Sequence, residues 1–84
     1  MFRIALGKFD FLCVRIKNNG EVGYVRFNLR DWVNPSTFEK KEEAEKILDY
    51  IKTHDIEFVN DANPNSIVNG RTVDKNKLQI VEIK

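Results

Sequence analysis

Between residues 11 and 29 two alternating stretches flank the segment Lys17-Asn18-Asn19-Gly20-Glu21, and no other part of the chain restricts the fold as strongly. From Phe11 to Lys17, Leu12, Val14 and Ile16 fall on one side and Cys13, Arg15 and Lys17 on the other, the period of a half-buried strand. Val22 to Leu29 alternates likewise. Asn19-Gly20 is the dipeptide that best supplies the two positive φ angles of a type I′ hairpin turn. Such a turn sets Asn18 opposite Glu21, Ile16 opposite Gly23, Val14 opposite Val25 and Leu12 opposite Phe27, giving the hairpin one continuous apolar face. A three-residue turn would set Val14 opposite Tyr24 and Leu12 opposite Arg26, mixing buried with solvated positions. The shorter turn is therefore expected.

Upstream, Phe2 to Leu6 is a further apolar run ending in Gly7-Lys8, a first strand joined to the second by a short turn. The three strands make an antiparallel meander. Asn34-Pro35 then marks the departure from the sheet, because proline disfavours helix at the residue before it. Ala44, Ile47, Leu48 and Ile51 follow at the spacing of one helical stripe. A capping box opening at Ser36 would throw Phe38 off that stripe, so the helix is expected to start near Glu39 or Lys40 and to run to about Thr53, with Phe38 packed just before it. Ile56 to Asn60 reads as a short strand. Leu78 to Ile83, rich in β-branched residues, reads as a strand in the interior of the sheet. Asp61 to Gly70 is dense in Asn, Pro, Ser and Gly and is expected to be the longest loop.

With 84 residues there is room for one hydrophobic core, and residues 1–84 are read as a single α+β domain. The expected architecture is an antiparallel four- or five-stranded sheet, meander first, with one amphipathic helix on one face, in the order β-β-β-α-(β)-β. A fold this small leaves little free energy for holding an elaborate catalytic cavity open. Cys13 is the only cysteine, which excludes an internal disulfide and a cysteine-rich zinc site and fits a reducing, cytoplasmic setting. No apolar run approaches the roughly 18 residues that span a bilayer, so no membrane partner is expected.

Catalytic, metal and cofactor chemistry find no support in the residue pattern, and a non-enzymatic protein is expected. Cys13 alternates with Leu12 and Val14 in a strand, the ordinary place for an inert thiol. His54 falls in the last helical turn, where an imidazolium complements the helix dipole. Grouped with Asp49, Asp55 or Glu57 it has neither zinc nor calcium spacing. The carboxylates Glu42, Glu43, Glu45 and Asp49 lie on the solvated side of the helix, and no phosphate-binding glycine motif or nucleophile elbow occurs.

Charge distribution is more informative than the net value of +1. Residues 1 to 38 carry six basic side chains against three acidic, and residues 39 to 61 carry four basic against eight acidic, so the sheet half is basic and the helix acidic. With its apolar set turned to the helix, the hairpin should display Arg15, Lys17, Tyr24 and Arg26 outwards. That face is suited to single-stranded nucleic acid, with Tyr24 stacking on a base and the cations holding phosphate. It is equally what any one-sided antiparallel sheet shows to water. Trp32 also has two readings. It closes the bottom of the core at a strand end, or it joins Arg30 and Asp31 in a recognition patch of the residue types that dominate protein interfaces.

The stretch Thr37 to Lys52, TFEKKEEAEKILDYIK, resembles small uncharacterised phage and prophage proteins of Gram-positive bacteria, in which an F-x-[TK]-K-E-E-A-E run opens a single helix after two or three strands. The likeness covers about a fifth of the chain. It implies an accessory role, binding and blocking or redirecting a host or defence protein. The leading expectation is thus a protein-binding module or inhibitor acting through strand edges, the acidic helix or the Arg30-Asp31-Trp32 patch. Nucleic-acid binding through Arg15, Lys17, Tyr24 and Arg26 is the alternative. Pairing of an edge strand with its copy would give a homodimer.

Overall fold

The computed structural model describes residues 1–63 and 73–83 together with the backbone of 67–69. Its elements are β1 (Phe2–Leu6), β2 (Asp10–Phe11), β3 (Cys13–Ile16), β4 (Val22–Phe27), α1 (Lys41–Thr53), β5 (Glu57–Asn60), β6 (Ile67–Asn69) and β7 (Leu78–Glu82). One sheet has the order β2-β1-β7; the other has the order β3-β4-β5, with the short β6 added beyond β5. The α+β class and, among the described residues, the single α-helix are as expected.

A single length of chain serves both sheets. Only Leu12 separates β2 from β3, and its N–H still donates to the Ile4 carbonyl at 2.8 Å. Asp10 to Ile16 therefore pairs with β1 through its first half and with β4 through its second. Leu12, fully buried, is the hinge of that bend and sits in the core with Ile4, Val14, Val25 and Phe58. Strands that change sheets in this way turn the corner between two packed layers.

Where β1 and β3 diverge, the segment Ser36–Phe38 fills the gap. Ser36 N–H donates to the Leu12 carbonyl (3.0 Å), and Ser36 Oγ accepts from Val14 N–H (2.8 Å) and donates to the Val14 carbonyl (3.3 Å). Phe2 and Phe38 exchange a pair of backbone hydrogen bonds at 2.7 and 2.8 Å. Ser36 thus satisfies a strand edge and does not cap the helix. The helix starts at Lys41, with Lys40 as a cap lacking any side-chain bond and with Glu42 and Glu43 complementing the N-terminal dipole. At its other end Lys75 Nζ donates to the carbonyls of Lys52 (3.2 Å) and His54 (3.1 Å), and the His54 ring stacks on Tyr50. Ala44 and Ile51 are fully buried, Ile47 and Leu48 half-buried, and Phe38 packs beside them as expected.

Four expectations are corrected. The strands do not form one antiparallel sheet. β4 and β5 pair in parallel, Tyr24 opposite Glu57 through Phe27 opposite Asn60, because α1 lies between them in the chain and returns it to run in the same direction. β7 is an edge strand of its sheet and owes its apolarity to the helix lying on it. The stretch 61–70 contains β6, paired antiparallel to β5, while 64–66 and 70 lie outside the described residues.

The fourth correction concerns the hairpin turn. Lys17 N–H donates to the Glu21 carbonyl (2.7 Å), Gly20 N–H donates to the Lys17 carbonyl (2.9 Å), and Gly20 alone in the turn has positive φ, at 87°. That is a three-residue loop, and Ile16 faces Val22. A β-bulge at Gly23 then inserts one residue, so Arg15 faces Tyr24 and Val14 faces Val25, the register the apolar face demands. The bulge leaves Val22 buried and Ile16 exposed.

Candidate functional site

The turn after β1 and the segment after β4 approach each other and enclose an open groove of about 500 Å³. One wall is Phe9, Asp10 and Phe11; the other is Asn28, Leu29, Arg30, Asp31, Val33 and Pro35. Gly7, at φ 81°, allows the tight turn that brings Phe9 to the wall. Asn28, at φ 53°, turns the chain sharply out of β4, a left-handed conformation that asparagine tolerates better than most residues. Its N–H donates to Asp10 Oδ1 at 2.7 Å, and its side-chain amide donates to Asn60 Oδ1 at 3.2 Å. The two walls are therefore joined directly through Asp10 and Asn28.

Arg30 ties the second wall to the end of β5, where its Nε donates to the Asp61 carbonyl at 2.6 Å. Val33 N–H donates back to the Arg30 carbonyl (2.9 Å), a turn whose two central residues are Asp31 and Trp32. This geometry pushes the indole outwards: Trp32 is 74% exposed, with the Arg30 guanidinium 5.4 Å from its ring centroid. Phe9, on the facing wall, is 86% exposed. Trp32 does not close the core, so of its two readings the surface one agrees with its position.

Asp10 is the carboxylate of the first wall. Burial raises its pKa above the ordinary aspartate value, and the Asn28 N–H opposes this only in part. Asp31, on the second wall, is exposed. A smaller depression of about 320 Å³ lies on the acidic helix face along Glu45, Leu48, Asp49 and Lys52.

The basic hairpin face is assembled only in part. Arg15 and Tyr24 are directly opposite in register, and both are exposed, as is Lys17. Cys13, on the same face, is buried at 8% exposure. Arg26 is half-buried, its Nε 2.7 Å from Asp61 Oδ1. The hydrogen bond to Asp61 raises the Arg26 pKa, so the guanidinium stays charged but is already paired. Among the described residues no three His, Cys, Asp or Glu side chains cluster to hold a metal ion, and no helix is long and apolar enough to cross a membrane.

Arg30, Asp31 and Trp32 were recognisable from residue type; Arg30 and Asp31 line the groove, and Trp32 stands exposed between the lining residues Asp31 and Val33. Phe9, Asp10 and Asn28 were not. The available signal was the aromatic Phe9 directly after Gly7-Lys8, a large apolar side chain in a turn too short to bury it. No protein family, curated protein or solved structure matches this chain.

Proposed function

We propose that the chain is a non-enzymatic protein-binding module that uses the groove between the Gly7–Phe11 turn and the Asn28–Pro35 segment. The observation that carries this reading is the pair Phe9 and Trp32, both left largely in water by a chain that has few large apolar side chains to spare. Trp and Arg are the residue types on which binding energy concentrates in protein interfaces. The hydrogen bonds from Asn28 to Asp10 and from Arg30 to Asp61 hold the walls in place before any partner arrives, which lowers the entropic cost of binding. An accessory protein of the phage type, working in the cytoplasm by covering a surface of a host or defence protein, fits this reading and the helix-opening stretch Phe38 to Glu45. A free strand edge offers such a protein a second copy as a further partner.

Nucleic-acid binding is kept as a second reading because Arg15 and Tyr24 stand side by side on the hairpin with Lys17 near them. Its weakness is Arg26, which Asp61 already neutralises.

Capture from a lysate with the tagged chain separates the two. The expected result is a defined protein retained after nuclease and after Arg15→Ala/Lys17→Ala, and lost with Phe9→Ala/Trp32→Ala. Retention that disappears with nuclease or with the Arg15/Lys17 pair would shift the assignment to nucleic acid.

A further inference from the structure

The charges of the groove differ in how far they are already used. Among the described residues that line it, Arg30 is the one cation; its Nε is committed to the Asp61 carbonyl and its guanidinium lies over the Trp32 ring. Asp10 accepts the Asn28 N–H on Oδ1 but has no cation within ion-pair distance among the described residues. Asp31 adds a second carboxylate to the wall. Around these the surface is apolar, with Phe9, Phe11, Leu29 and Val33.

An acidic segment entering such a groove meets two carboxylates. A wholly apolar segment would strip water from Asp10 and return nothing to it, which is unfavourable for a charged group. A lysine or arginine restores the lost solvation through a charge-assisted hydrogen bond to the free carboxylate oxygen while its methylenes lie along the aromatic wall. This wall already receives a cation elsewhere: the Arg3 guanidinium lies 5.3 Å from the Phe11 ring centroid.

We infer that the groove takes a linear segment of the partner protein in which a basic side chain stands beside an aromatic or branched apolar one, the basic group docking on Asp10 and the apolar group on Phe9 and Trp32. This rests on the protein-binding reading and names the chemistry of the partner. The raised pKa of Asp10 agrees with a carboxylate that burial has left under-compensated.

The test is panning of a random-peptide library displayed on phage against the immobilised full chain, followed by affinity measurement of the enriched peptides on purified variants. Enriched sequences are expected to pair Lys or Arg with an aromatic or branched residue. Asp10→Asn, which keeps the acceptor for Asn28 but removes the charge, is expected to weaken them by about tenfold, the weight of one hydrogen bond to a charged group. Trp32→Ala, at an exposed position, is expected to weaken them by a similar factor. Enriched peptides that depend on Trp32 but are acidic, or indifferent to Asp10→Asn, would overturn the inference and leave the protein-binding groove standing. Peptides indifferent to Phe9, Asp10 and Trp32 alike would overturn both, and a library yielding no enriched sequence would overturn the linear-segment chemistry.

Discussion

Arg26 Nε meets Asp61 Oδ1 at 2.7 Å across the parallel pair β4–β5, and the two partners are unequally placed: the Asp61 side chain is 2% exposed, that of Arg26 30%. Among the described residues Asp61 Oδ2 has no hydrogen-bond partner. Loss of Arg26 therefore strands a buried carboxylate, whereas loss of the Asp61 charge frees a guanidinium that can turn to water. Arg26→Met is expected to destabilise the protein by about 2 kcal/mol, a buried-pair penalty reduced for the exposed guanidinium, and Asp61→Asn by about 1 kcal/mol. Urea unfolding of both and of the double variant checks this. A larger loss for Asp61→Asn than for Arg26→Met would contradict the asymmetry. It follows that Arg26 is a poor probe of nucleic-acid binding, for which Arg15 and Lys17 are the clean choices.

Ser36 takes the place of a neighbouring strand for β3. Its hydroxyl serves both the N–H and the carbonyl of Val14 at a part-buried site. Ser36→Ala is expected to cost about 1–2 kcal/mol, the price of a part-buried backbone donor left unpaired, while Thr37→Ala, at an exposed position, changes stability by less than about 0.5 kcal/mol. Equal effects of the two in thermal or urea unfolding would remove Ser36 from its role as the bridge between the sheets.

The hairpin offers a comparison between two glycines. Gly20 has open space around the position of a Cβ but a φ of 87°, so Gly20→Ala should lose about 1–2 kcal/mol through backbone strain alone. Gly23 has no such φ, and an added Cβ would lie 3.3 Å from Lys17 Cγ, a flexible side chain able to give way. Gly23→Ala is expected to lose less than about 1 kcal/mol. Should Gly23→Ala prove the more damaging, the bulge and not the turn would be the rigid part of the hairpin.

Asp10 imposes a pH dependence. Its folded pKa is raised by burial, so in the window between the unfolded and folded values the native state holds more protons and stability falls as pH rises. Asp10→Asn retains the acceptor for Asn28 N–H and removes the titration. The variant is expected to match the wild type below the ordinary aspartate pKa and to gain on it as pH increases through the raised one, as measured by melting temperature across acid to neutral pH. A wild type that gains on the variant with rising pH would mean that the carboxylate is stabilised, not penalised, by its surroundings.

How much of this was legible in the sequence depends on the range of the interaction. The stripe Ala44, Ile47, Leu48 and Ile51 is local, and it placed the helix to within a residue or two of Lys41–Thr53. The pairing of Val14 with Val25 was legible because an apolar face tolerates one register only. The loop length was not, since a three-residue turn followed by a bulge at Gly23 returns the same register as a two-residue turn without one. The direction of β5 was also hidden: four residues, Glu57 to Asn60, have the same alternation whether their neighbour runs parallel or antiparallel. Arg30, Asp31 and Trp32 were found by residue type, but Phe9 and Asp10 share a groove with Arg30 and Asp31 only because Leu12 carries one length of chain between two sheets. Nothing local records that bend.

The protein-binding account is tested most directly by photo-crosslinking, with benzoylphenylalanine replacing Trp32 in one variant and Tyr24 in another, each irradiated in a lysate. The account predicts a discrete protein adduct from position 32, suppressed by excess unmodified chain, and none of comparable yield from position 24. Nuclease-sensitive adducts from position 24, with position 32 silent, would contradict it.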